Sequence, residues 1–273
     1  MTIRSPRLAR CGLIAFTALV MAFLVTPMIV IVPLSFTSGA ILVYPLPGWS
    51  TRWYADFFGN PLWTQAVRNS LMIGIATMLL ATVLGTAAAL GLTLSRSRLK
   101  PVIFALLVSP IVVPIVITAV AVFYFFSALG IAGTLGGMIL AHTMIATPFV
   151  VITVSATLQS FDRNLARAAA SLGAPPAVVL RRVVLPLIWP GLMSGALFAF
   201  ATSFDELVIA LFLASPELRT LPRQIFSGVS ESISPTIAAA AVVLVLVSTG
   251  LMLAVELLRR RAERMTRAEP EAA

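Results

Sequence analysis

The sequence predicts an all-α integral membrane protein with six transmembrane helices and both termini on the cytoplasmic side. Three observations carry this. First, 59% of the 273 residues are hydrophobic and only 11% are charged, with a mean hydropathy of +1.03. A soluble domain carries roughly a quarter charged residues. Second, six apolar runs reach the ~20 residues that a helix needs to cross a bilayer: 11–36, 70–94, 101–129, 135–158, 187–213 and 233–258. Third, basic residues fall unevenly on the alternating loops. One side collects Arg4, Arg7, Arg10, Arg96, Arg98, Lys100, Arg163, Arg167, Arg181, Arg182 and the arginines of 259–267. Of the 19 Lys and Arg residues, the other side keeps only Arg52, Arg68, Arg219 and Arg223. The basic side is the cytoplasmic one. A net charge of +9 spread over such short loops is no nucleic-acid surface, and the single cysteine, Cys11, makes no internal disulfide.

Taken in order, the N-terminus carries arginines followed by an apolar run, as a signal peptide does. The run is long and no small-residue cleavage site follows, so we read it as a retained first span. The loop 37–69 holds Trp49, Trp53, Tyr54 and Trp63, amphipathic rings favoured at a membrane interface. Its end, NPLWTQAVRNS, reads as a short interfacial helix entering the second span. Pro110 and Pro114 bend or break the third span and Pro148 the fourth, which makes both candidates for lining a path. His142, the one histidine, reads as a hydrogen-bonded packing residue. Gly191 and Gly195 form a small-xxx-small pair suited to close helix packing in the fifth span. The closing RRRAER run is a positive-inside stop.

The loop 159–186 contains ARAAASLGAPPAVVLRRVVLP. Asp162 suits a helix N-cap, and Leu165, Ala168, Ala169 and Leu172 follow at helical spacing as a small-residue face. Arg163 and Arg167 lie on the other side. Gly173 suits the left-handed position just past a helix end. Pro175 and Pro176 suit the first turn of a second helix, which runs through Val178 to Leu185 until Pro186 and enters the fifth span. Periodicity alone leaves two readings open: a partner's docking helix, or an amphipathic helix resting on headgroups.

The stretch resembles the cytoplasmic signature loop of the permease subunits of ATP-binding-cassette (ABC) importers. Ala168, Ala169, Gly173, Leu185 and Pro186 match that pattern in register, and Val183 replaces an Ile. Arg167 stands where the family has Glu, so a Glu-mediated ion pair is not part of what the resemblance implies here. The likeness extends to SFDELVIALFL, TLPRQIFSGVSESISPTIAAAAVVLVLVS, FGNPLWTQAVRNSL and SPIVVPIV, which are similar to the polyamine branch. The resemblance implies a single permease domain over 1–273, whose loop docks as a coupling helix on a cytoplasmic ABC ATPase dimer. It implies a second permease subunit and a periplasmic substrate-binding protein as further partners, with spermidine or putrescine as cargo. ATP and Mg would belong to the ATPase, leaving this chain without a cofactor. Arg167, Ala168, Ala169, Gly173, Leu185 and Pro186 would make the coupling site.

Asp205 and Glu206 interrupt the fifth run toward its outer half. A carboxylate at the bilayer centre costs roughly 3 kcal/mol, so such groups face protein or a water-filled path. On a continuous helix the two would point about 100° apart, one lining a path for a cationic solute and the other pairing with a neighbouring helix. The alternative is a purely structural pair. No Walker loop, HExxH, CxxC or Ser/His/Asp set accompanies them. Rival functions are the same machine with another cargo (an opine, an aminoalkylphosphonate or an amino-acid-like compound), a proton-coupled secondary transporter using Asp205 or Glu206, and a membrane enzyme.

Overall fold

The computed structural model describes residues 6–95, 97–231 and 233–268; Arg4 and Arg96 lie outside them. The described residues are helical almost throughout: α1 Pro6–Ser35, α2 Arg52–Gly59, α3 Pro61–Leu94, α4 Lys100–Val112, α5 Ile115–Ala128, α6 Leu135–Ser160, α7 Arg163–Ser171, α8 Pro176–Val179, α9 Leu185–Phe204, α10 Val208–Leu213, α11 Leu221–Glu231 and α12 Pro235–Ala268. Five helical segments are long and apolar enough to cross a membrane, and the α4–α5 pair makes a sixth when counted as one span.

Three expected spans take a different form. The second is longer: α3 is one helix of 34 residues, so NPLWTQAVRNS forms its first turns and not a separate interfacial helix. At 1.5 Å per residue it is about 50 Å long and outruns a ~30 Å hydrocarbon core. The third is bent by 102° between α4 and α5. Pro114 has no N–H to donate, and it holds the preceding Val113 extended at φ −71°, ψ 132°. Pro110 stays inside α4, because the carbonyl it leaves free, that of Leu106, accepts the Ser109 hydroxyl at 2.8 Å. The fifth is split: the helix stops at Phe204 and restarts at Val208.

The chain groups into two compact units. One holds α1, α2, the loop between them and Ile225–Val245. Here Trp53 Nε1 donates to the Thr37 carbonyl at 2.8 Å, Tyr54 hydrogen-bonds Ser35 at 2.7 Å, and Thr236 donates to Asp56 at 2.7 Å. These bonds fix α2 by its aromatic side, with Phe57 buried.

The other unit runs from Leu62 to Gln224 and takes up the described residues from Leu246. One apolar cluster joins α3, α5, α6 and α10 through Ile73, Val122, Met138 and Ile209. A second joins α3, α6 and α9 through Ala81, Val150, Val154 and Ile188. The α6–α9 approach depends on absent side chains. A Cβ on Gly195 would meet Thr153 Oγ1 at 2.6 Å, and one on Gly191 would collide with Thr157 Oγ1. The small pair read from the sequence therefore packs two helices, as its spacing predicts.

Candidate functional site

Two helix interruptions hold the candidate residues. The first follows α7. Asp162 caps this helix, accepting the Asn164 N–H at 2.9 Å. Gly173 takes φ +84°, its N–H donates to Ala170 O at 2.9 Å, and the Ala174 N–H donates to Ala169 O at 3.2 Å. That is the Schellman pattern, which satisfies the last carbonyls within the turn itself. The turn thus completes its backbone bonding without help from the rest of the chain. Arg167, Ala168 and Leu172 are exposed and Ala169 is half-buried. Leu172, 89% exposed, is a large apolar side chain left in the open at the tip. The small-residue face predicted for α7 is thus largely uncovered by this chain.

The second helix of the loop enters the fifth span as expected, but without a stop at Pro186. α8 passes through a π turn at Leu180–Val184 directly into α9, giving one candidate span Pro176–Phe204. A proline within an α-helix lacks its N–H and its ring crowds the carbonyl four residues back. The wider π turn, in which the Leu185 N–H reaches Leu180 O, comes just before Pro186 and absorbs that clash. Leu185 and Pro186 lie within this helix, so they do not share the α7 turn with Gly173.

The second interruption lies between α9 and α10. The structure corrects the continuous helix assumed for Asp205 and Glu206: both sit in the gap, and their directions are not set by helical geometry. Asp205 is exposed, and its carboxylate has no hydrogen-bond or ion-pair partner among the described residues. Glu206 is buried, and each of its oxygens is used. Oε1 accepts the Ile209 N–H at 2.9 Å and Oε2 the Ala210 N–H at 3.1 Å. These are the N–H groups that the first turn of a new helix leaves free, and a carboxylate also complements the positive end of the helix dipole.

His142, which the sequence marks as a hydrogen-bonded packing residue, is found as one, and it completes the arrangement with others that the sequence does not single out. His142 on α6 is fully buried. Its Nδ1 pairs with Ser203 Oγ at 2.8 Å, and its Nε2 faces Glu206 Oε2 at 3.8 Å. At the other end of α10, Arg223 donates to the carbonyls of Ala214 and Ser215. Burial, then the neighbouring charge of Arg219, lowers the Arg223 guanidinium from its ordinary pKa. Beyond α10, Asn69 Nδ2 donates to Glu217 O at 2.9 Å and Arg219 O at 3.1 Å, and Ser70 Oγ accepts the Leu221 N–H at 2.7 Å. A six-residue helix has too few internal bonds to stand alone. This one is held by an acid at its start, a base at its end, and the clamp from α3 that follows. Asn69 and Ser70 do carry a sequence signal, as adjacent polar residues where an apolar run begins.

The family model for binding-protein-dependent transport system inner membrane components matches residues 81–264, which includes both interruptions. The chain belongs to that family. It is 31% identical over 254 residues to the spermidine/putrescine transport system permease protein PotC of Escherichia coli K12, covering 93% of this chain and 95% of the relative. It is 38% identical over 248 residues to the putrescine transport system permease protein PotI of the same strain, covering 88% and 85%. Its fold is similar to a chain in the crystal structure of a bacterial ABC transporter that imports the acidic polysaccharide alginate. There the TM-score is 0.72, with 17% identity and coverage of 94% and 98%. As an inner membrane component of this family, the chain is a multi-pass membrane protein.

Proposed function

We propose that this chain is one permease subunit of an ABC importer for polyamines such as spermidine or putrescine. It acts as a single permease domain with both termini cytoplasmic. A second permease subunit completes the path, a periplasmic binding protein delivers cargo, and an ATPase dimer supplies ATP hydrolysis and holds ATP and Mg. The chain itself is non-catalytic. Arg167, Ala168, Ala169 and Gly173 present the coupling helix, and Leu185 and Pro186 carry its movement into the fifth span.

The cargo reading rests on Asp205. Polyamines are multiply cationic, and an exposed, unpartnered carboxylate at a break in an apolar span attracts such a solute along its way. Glu206 shares the same path but has both oxygens committed to α10, so its work is to hold the break open in a fixed shape. The homologous polyamine permeases support the same cargo.

The test is co-purification of the detergent-solubilised chain with the ATPase expressed beside it, followed by ATP hydrolysis with polyamine-loaded binding protein. Association together with stimulation by spermidine or putrescine supports the proposal. Association with stimulation only by a different loaded solute keeps the machine and overturns the cargo. Uptake that survives depletion of ATP and collapses with the proton gradient overturns both.

A further inference from the structure

A crevice of about 340 Å³ opens between the C-terminal ends of α3 and α6 and the start of α4. Leu92 and Phe104 give it apolar walls, while Thr93, Ser155 and Gln159 supply hydroxyl and amide groups. Lys100, the first residue of α4, also lines it. None of these four polar side chains has a hydrogen-bond or ion-pair partner among the described residues. The loop before Lys100 is braced: Ser95 Oγ accepts the Ser97 N–H at 3.0 Å, and Ser97 Oγ accepts the Leu99 N–H at 3.1 Å. That bracing sets where α4 begins, and so where the ammonium stands.

We propose that this crevice binds an anionic phospholipid, its phosphate on Lys100 and its acyl chain along Leu92 and Phe104. The inference rests on the membrane placement argued above, in which this end of the three helices belongs to the cytoplasmic leaflet. Three features select the occupant. The crevice lies at the ends of apolar helices, at headgroup depth. Its one charged lining group is cationic, with the exposed Arg98 two residues away. Its remaining polar groups are hydrogen-bond donors suited to phosphate and glycerol oxygens. Basic pockets between transmembrane helices on the cytoplasmic side are where anionic headgroups are held. A zwitterionic lipid carries its own cation, which opposes Lys100 and Arg98 and weakens its hold. Neither the coupling helix nor Asp205 contributes to the crevice, so lipid binding and cargo handling are separable.

The experiment uses the assembled transporter in nanodiscs of phosphatidylcholine with added phosphatidylglycerol, extracted and read by native mass spectrometry. Wild type should retain phosphatidylglycerol in preference to phosphatidylcholine, and inorganic phosphate should not displace it. Lys100→Gln should lower that retention roughly fivefold, the weight of one basic side chain at an anionic surface. Lys100→Arg should keep it. Ser155→Phe, which fills the crevice and leaves the charge in place, should also expel the lipid. ATP hydrolysis and subunit stoichiometry are measured on the same samples, so a failed transporter assignment is distinguished from a failed lipid site. Equal retention of both lipids by wild type, retention unchanged in Lys100→Gln, equal loss in Lys100→Arg, or displacement by phosphate would each overturn the proposal.

Discussion

The turn after α7 and the break before α10 both interrupt helical runs, and they are stabilised in opposite ways. The turn at Gly173 satisfies its own backbone and leaves the apolar side chain of Leu172 uncovered. The break at Asp205–Leu207 is tied to the start of α10 by its own Glu206, while Arg223 and the α3 clamp hold the far end of α10, and buried side chains such as His142, Phe204 and Ile209 surround it. A self-contained turn can move as a body without losing hydrogen bonds, which suits a helix that receives force from another subunit. A break held by side chains from several elements keeps its shape, which suits a place where one carboxylate must stay in position.

Four substitutions probe this difference, from the largest expected effect to the smallest. Ala169→Glu puts a charge on the small-residue face of α7 that is proposed to dock. ATPase co-purification should be abolished while the thermal stability of the isolated chain stays unchanged. Glu206→Ala removes two charge-assisted bonds from the start of α10 and leaves buried N–H groups unpaired. It should destabilise the chain by about 3 kcal/mol, read as a lowered unfolding midpoint and a lower yield. Asn69→Leu keeps the branched shape and deletes the two Asn69 bonds of the clamp after α10, at about 1–2 kcal/mol. A purely apolar α3 would tolerate that change without loss, so unchanged stability would remove the clamp from the account. Gly173→Ala forces a Cβ into the left-handed region at about 1 kcal/mol. It should lower the unfolding midpoint by only about 2–4 °C while stimulated ATP hydrolysis falls more; the same small shift with stimulated hydrolysis intact would make the turn merely structural.

Much of the span pattern is legible in the sequence, because each run is set by a local property that 20 apolar residues already contain. The α4–α5 bend is legible for the same reason: Pro114 and the residue before it suffice. The α7 turn is also local, since Asp162 and Gly173 mark its ends by residue type. The break before α10 is not legible, because the apolar run passes over it and only the carboxylate pair marks the place. Apart from the local bonds of Glu206, its supports come from afar: Asn69 meets Glu217 across 148 positions, and His142 meets Ser203 across 61. The π turn before Pro186 escapes notice too, since the proline reads as an end when the widened turn makes it passable.

The central claim is that Asp205 serves the cargo and the turn at Gly173 serves the ATPase. It is tested most directly by polyamine uptake into proteoliposomes containing the assembled transporter with Asp205→Asn, with subunit stoichiometry and basal ATP hydrolysis read on the same vesicles. The account predicts that uptake falls at least about tenfold, the loss of ~1.4 kcal/mol of favourable charge interaction with a cationic solute, while stoichiometry and basal hydrolysis stay at wild-type values. Undiminished uptake, or loss of the complex itself, would contradict it.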